Sequence, residues 1–139
     1  GSFTSSDGES ECESCAPGTF QSATGATVCE ACPAGSKCAS VGSPGATLCV
    51  AGRYASSSGA TECDECPAGS ACSTGSLAGK PCSPGTVQPR AGQGSCDKCD
   101  VGKYQEAAGA TACVECVAGP TRSSRKPGAA NDSNRLLRR

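Results

Sequence analysis

The stretch Cys15-Ala-Pro-Gly18-Thr-Phe20-Gln-Ser-Ala-Thr-Gly25-Ala-Thr-Val-Cys29-Glu-Ala-Cys32-Pro33 holds the plan of most of this chain. Two cysteines enclose thirteen residues, with Gly18 three places after the first and Gly25 four places before the second. Glycine reaches positive φ without penalty, so the first gives a bend and the second a tight return. Between them lies a short extended segment led by an aromatic ring. The segment reads as a small hairpin-like loop closed by a disulfide.

The same loop recurs without a gap at Cys49 to Cys63, Cys82 to Cys96 and Cys99 to Cys113. Its first glycine returns as Gly52, Gly85 and Gly102, and its second as Gly59, Gly92 and Gly109. The ring position holds Phe20, Tyr54, Val87 and Tyr104, and every copy continues into Cys-x-x-Cys. Internal repetition of this kind decides the architecture before secondary structure is considered. The rings are the large apolar groups of their units and are expected to pack on sulfur of their own or the next loop. Val87 departs from the pattern, and its copy is expected to pack more loosely.

Two spacers interrupt the array. Cys32-Pro-Ala-Gly-Ser-Lys-Cys38 matches Cys66-Pro-Ala-Gly-Ser-Ala-Cys72, with Lys37 and Ala71 where the ring would stand. They read as a second, smaller module. The chain thus divides into a truncated repeat (1–15), repeats at 15–32, 49–66, 82–99 and 99–116, spacers at 33–48 and 67–81, and a basic flexible tail at 117–139. The truncated copy is inferred from Phe3, which precedes Cys12 by nine residues as Phe20 precedes Cys29. Gly1 and Gly8 hold the two glycine positions. The expected opening cysteine would lie two positions before Gly1, leaving Cys12 without its partner.

Composition explains why the fold must rest on cysteine. The chain has no His, Met, Trp or Ile, four aromatics, and 14 cysteines in 139 residues. Burial at roughly 25 cal/mol per Å² cannot offset about 1–2 kcal/mol of backbone entropy per residue with so little to bury. Cysteine at a tenth of the residues marks a disulfide scaffold, and such scaffolds persist in oxidising compartments. An extracellular or cell-surface location follows. Charge is split: residues 1–116 hold 6 basic against 12 acidic groups, and residues 117–139 hold 6 against one. No apolar run approaches the ~20 residues of a membrane span.

These residues resemble the ephrin-receptor-like cysteine-rich module over about residues 1–119. That pattern is Cys-x-x-Cys, a Gly, an aromatic, a distal Gly, then Cys-x-x-Cys-Pro. Its close is seen in Cys29-Glu-Ala-Cys32-Pro33 and Cys63-Asp-Glu-Cys66-Pro67. The loop is also similar to the first half of a tumour-necrosis-factor-receptor cysteine-rich domain. The resemblance implies a small disulfide-rich fold, an elongated tandem array of short β-hairpins with little other regular structure. Spacing favours the pairs Cys15–Cys29, Cys49–Cys63, Cys82–Cys96 and Cys99–Cys113. For the rest, Cys32–Cys38 and Cys66–Cys72 compete with a nested scheme of Cys12–Cys32, Cys38–Cys66 and Cys72–Cys99. Sequence alone leaves that choice open.

The Cys-x-x-Cys pairs invite two other readings. Cys12, Cys15, Cys29 and Cys32 have ligand spacing for a tetrahedral zinc site. However, fourteen does not divide into fours, and Cys38, Cys49, Cys72 and Cys82 stand outside such a set. A redox-active pair needs its thiolate stabilised by positive charge or a helix N-terminus. Here the pairs enclose Glu13, Glu30, Asp64, Glu65, Asp97 and Glu115, which disfavour the thiolate. Without His there is no Ser/His or Cys/His pair. No catalytic, metal or cofactor-binding residues are assigned, and no cofactor is expected.

The tail carries Asn131-Asp132-Ser133, an acceptor triplet for N-glycosylation. It also carries basic clusters at Arg122 to Lys126 and Arg135 to Arg139, which resemble dibasic processing sites. No aromatic interleaves these charges, so nucleic-acid binding is not expected. The chain is read as a non-catalytic extracellular structural and interaction module. It would be a semi-rigid spacer in a large surface, matrix or filament glycoprotein, with itself or another surface protein as partner. A ligand-binding receptor ectodomain and a zinc-binding module with four cysteine ligands are the alternatives.

Overall fold

The computed structural model describes residues 1–118, and they form seven two-stranded antiparallel hairpins with no helix among them. The hairpins are β1 (Ser2–Phe3) with β2 (Glu13–Ser14), β3 (Thr19–Phe20) with β4 (Glu30–Ala31), and β5 (Ser36–Lys37) with β6 (Thr47–Leu48). They continue as β7 (Arg53–Tyr54) with β8 (Asp64–Glu65) and β9 (Ser70–Ala71) with β10 (Lys80–Pro81). The last two are β11 (Thr86–Val87) with β12 (Asp97–Lys98) and β13 (Lys103–Tyr104) with β14 (Val114–Glu115). The fold is a small disulfide-rich tandem hairpin array.

Each hairpin after the first is entered through the same turn. In Ala16-Pro17-Gly18-Thr19 the Thr19 N–H donates to the Ala16 carbonyl at 3.0 Å, and Gly18 sits at φ 85°. Glycine at the third place of such a turn is what a type II geometry requires. The turn recurs at Pro33–Ser36, Val50–Arg53, Pro67–Ser70, Ser83–Thr86 and Asp100–Lys103. Hydroxyls tighten three of the copies: Thr19, Ser36 and Thr86 each donate to the carbonyl three residues back.

The stretches 33–48 and 67–81 fold as the same hairpin as the rest. Cys15, Cys32, Cys49, Cys66, Cys82 and Cys99 therefore open the six hairpins after the first at one step of 17 residues, shortened to 16 between Cys66 and Cys82, and Cys116 follows Cys99 by the same step. What differs is the staple. In four hairpins the opening cysteine is bridged fourteen residues on: Cys15–Cys29, Cys49–Cys63, Cys82–Cys96 and Cys99–Cys113. In the third and fifth it is bridged six residues on, as Cys32–Cys38 and Cys66–Cys72. The Cα–Cα separations of all six, 5.7–6.1 Å, lie within the range a disulfide spans. The nested alternative is not the one adopted.

Main-chain hydrogen bonds join each hairpin to the next. Between the third and fourth, Gly35 N–H donates to Ala55 O at 2.8 Å and Cys38 N–H to Ala60 O at 2.9 Å. Gly59 N–H returns the connection to Cys32 O at 2.7 Å. The equivalent three bonds recur at every later step, for instance Gly69 to Gln88, Cys72 to Gln93 and Gly92 to Cys66. A hairpin of two-residue strands is not stable alone in water. Here each supplies its neighbour with backbone partners, as in a quasi-one-dimensional repeat.

Candidate interaction surface

What the array presents to a partner depends on what it buries. Among the described residues the buried apolar ones are Cys15, Cys32, Cys38, Cys49, Cys63, Cys66, Cys72 and Cys82, with Ala55 and Val87 besides. The buried interior is thus mostly sulfur, from Cys15 in the second hairpin to Cys82 in the sixth. Cysteine behaves in such a place as a small, polarisable apolar residue. The ring positions lie at its margin: Phe3, Phe20 and Tyr54 are half-buried and Tyr104 is exposed. Val87, expected to mark a loose copy, is instead the most buried of the set at 8% exposure. A short β-branched side chain has less surface to hide than a ring, which leaves part of itself in water.

A position overlooked in the sequence does more. Six residues after each opening cysteine stand Gln21, Cys38, Ala55, Cys72, Gln88 and Gln105. Each glutamine spans its loop: its amide N–H donates to the carbonyl seven residues on (Val28, Ser95 or Ala112) at 2.7–2.8 Å. Its amide oxygen accepts from the backbone N–H two residues on, at Ala23, Arg90 or Ala107. Where cysteine replaces glutamine at Cys38, its sulfur lies 3.9 Å from the Gly45 carbonyl, again seven residues on. There the bridge to Cys32, and not an amide, fixes the position. Gln88 is almost wholly buried, at 2% exposure, whereas Gln105 is half-buried. Gln88→Ala would empty a buried place and remove both hydrogen bonds of its amide, and is expected to lower stability by about 2–3 kcal/mol. Gln105→Ala, at the less buried of the two positions, is expected to lower it by about 1 kcal/mol or less. Hydrogen exchange in the sixth and seventh hairpins measures both, and equal effects would show that burial of the amide is not what matters.

The second strand of every hairpin, the two residues inside each Cys-x-x-Cys or its equivalent, is exposed. Charge or proline occupies it at Glu13, Glu30, Asp64, Glu65, Lys80, Pro81, Asp97, Lys98 and Glu115. Such residues keep open strand edges from pairing with other chains. Only β6, Thr47–Leu48, carries none. At the sites weighed for zinc, Cys15 and Cys29 are bridged to each other and Cys32 to Cys38, so those sulfurs are already engaged. Cys12 and Cys116 are free and exposed. The tail features, Asn131 and the basic clusters, lie outside the described residues.

Seven hairpins follow one another, the second to the seventh each stapled by cysteine and entered at a glycine of positive φ. A family model described as tyrosine-protein kinase ephrin type A/B receptor-like matches residues 1–49 and 85–134. The chain belongs to the ephrin-receptor-like family. The intervening residues 50–84 carry the fourth hairpin and the fifth with the same entry turn and neighbour bonds, so the ephrin-receptor-like array is continuous through them. No curated protein sequence matches the chain. Among the described residues no helix is long and apolar enough to cross a membrane.

Proposed function

We propose that this ephrin-receptor-like array is a non-catalytic extracellular structural and interaction module, a semi-rigid spacer within a larger surface, matrix or filament protein. The observation that carries the reading is the repeated set of three main-chain bonds between successive hairpins. It couples each unit to its neighbours through groups that every sequence possesses. Side chains on the exposed strands are then free to vary without loss of the array. Disulfides in every hairpin from the second to the seventh support an oxidising, extracellular setting. Membership of a receptor-like family supports protein as the partner class.

The experiment is small-angle scattering on the oxidised chain. A compact protein of this length has a radius of gyration of about 14 Å. A linear stack of hairpins is expected to exceed that by at least half, with scattering that keeps the signature of a stiff particle. A value near that of a compact sphere would defeat the spacer reading.

A further inference from the structure

The two hairpins with the short staple share a property that the others lack. Residues 38–52 and 66–79 contain no charged side chain, although 18% of the whole chain is charged. They lie in the third and fifth hairpins and the links that follow or open them. The array brings these two together. From the second hairpin to the fifth, each entry-turn glycine abuts the distal-glycine carbonyl of the hairpin two steps on, and Gly35 meets the Gly75 carbonyl in this way. Leu48 packs over Gly75 and Leu77 over Gly35, each with a methyl 3.3–3.4 Å from where a Cβ would stand. Val41, Leu48, Val50 and Leu77 are all more than half exposed on these segments. Leu48 and Val50 also line a groove of about 280 Å³ whose walls include Lys37, Arg53 and Glu62.

We infer that this uncharged face, centred on Leu48, Val50 and Leu77, is a docking surface for a second copy of the same chain, related by a two-fold axis. Two arguments select that occupant. Residues 1–116 carry twice as many acidic as basic groups, so two arrays repel wherever charged faces meet. The neutral face is where they approach without that penalty. Its margin also holds both signs, Lys37 and Arg53 beside Glu62, so that two copies can meet there with unlike charges opposed. A C2 contact is isologous, and a patch of this composition complements itself. The uncharged strand β6 gives an edge on which no charge opposes pairing. The apolar residues of the seventh hairpin, Val101, Tyr104 and Val114, are interleaved with Asp100, Lys103, Glu106 and Glu115, and lack this property.

The patch is small beside the roughly 800 Å² per partner of a standard interface, so a pair of isolated chains is expected to associate in the range of about 0.1–1 mM. Many arrays held side by side would gain from repetition of the contact. The inference deepens the interaction-module reading and rests on it. Sedimentation of the oxidised 139-residue chain up to about 1 mM tests it. Reversible dimerisation is expected for the native chain, with amide shifts at residues 38–52 and 66–79 that grow with concentration. Leu48→Lys combined with Leu77→Lys is expected to weaken it at least tenfold, and Val114→Lys to leave it unchanged. Both sets of substitutions lie on exposed positions, and an unchanged amide spectrum at low concentration establishes the fold. A monomer throughout, or a dimer indifferent to the double substitution, overturns the proposal. Neither outcome touches the spacer reading, which stands or falls on the scattering experiment.

Discussion

Reduction of the disulfides is expected to abolish the fold rather than loosen it. Twelve of the 14 cysteines are paired in six bridges. In the chain-entropy account a loop of fourteen residues contributes about 3 kcal/mol and one of six about 2 kcal/mol. Any two or three of these equal much of the total stability of a typical domain, about 5–15 kcal/mol. The effect on the native state compounds this. Among the described residues, eight of the ten buried apolar side chains are half-cystines, so reduction replaces bridged sulfur by separate thiols in the same positions. No cluster of Leu, Ile or aromatic side chains stands behind them among the described residues. A dispersed amide spectrum in the oxidised chain should collapse to random-coil shifts in reductant and return on reoxidation. Persistence of dispersion would mean that the main-chain bonds between hairpins hold the array without covalent help.

The sequence made one part of this architecture plain and hid another, for a physical reason. The loop with thirteen enclosed residues was legible because cysteine, glycine and ring recur at fixed places, and each of those residue types is demanded by geometry. The uniform step of 17 residues was obscured at Cys38 and Cys72. There the bridging partner moves from the far side of the loop to the sixth position, and the segment resembles a smaller module. The spacing of Gly35 from Gly42 equals that of Gly18 from Gly25, which was the signal available. Gln21, Gln88 and Gln105 were passed over because an isolated glutamine in a polar loop carries no pattern of its own. Their meaning lies in sharing a position with Cys38 and Cys72. The bonds between hairpins were beyond reach altogether, since they join backbone to backbone and no side chain records them. Val87 lies deeper than the rings because the interior is mostly sulfur, and ring content is no measure of burial there.

Gly52→Ala is expected to be far more damaging than Gly102→Ala, although the two glycines occupy equivalent places with φ of 88° and 84°. The left-handed conformation alone penalises alanine by roughly 1–2 kcal/mol, and both substitutions incur that. At Gly52 a Cβ would also run into the Gly92 carbonyl of the hairpin two steps on. At Gly102 it would meet nothing within 4 Å among the described residues. Relief of the collision must come from parting the fourth and sixth hairpins. That strains the bonds from Gly52 N–H to Cys72 O and from Gly92 N–H to Cys66 O, both 2.7 Å. Each is worth about 1 kcal/mol net, so Gly52→Ala is expected to destabilise by about 3–4 kcal/mol in all. The loss should be local, because these contacts reach only one and two hairpins along the array. Hydrogen exchange should rise sharply at the Gly52 and Gly92 amides and little at the second hairpin. Gly102→Ala should leave the same amides as protected as before. Equal effects of the two substitutions would show that backbone strain, and not the close approach of alternate hairpins, is what fixes glycine at this position.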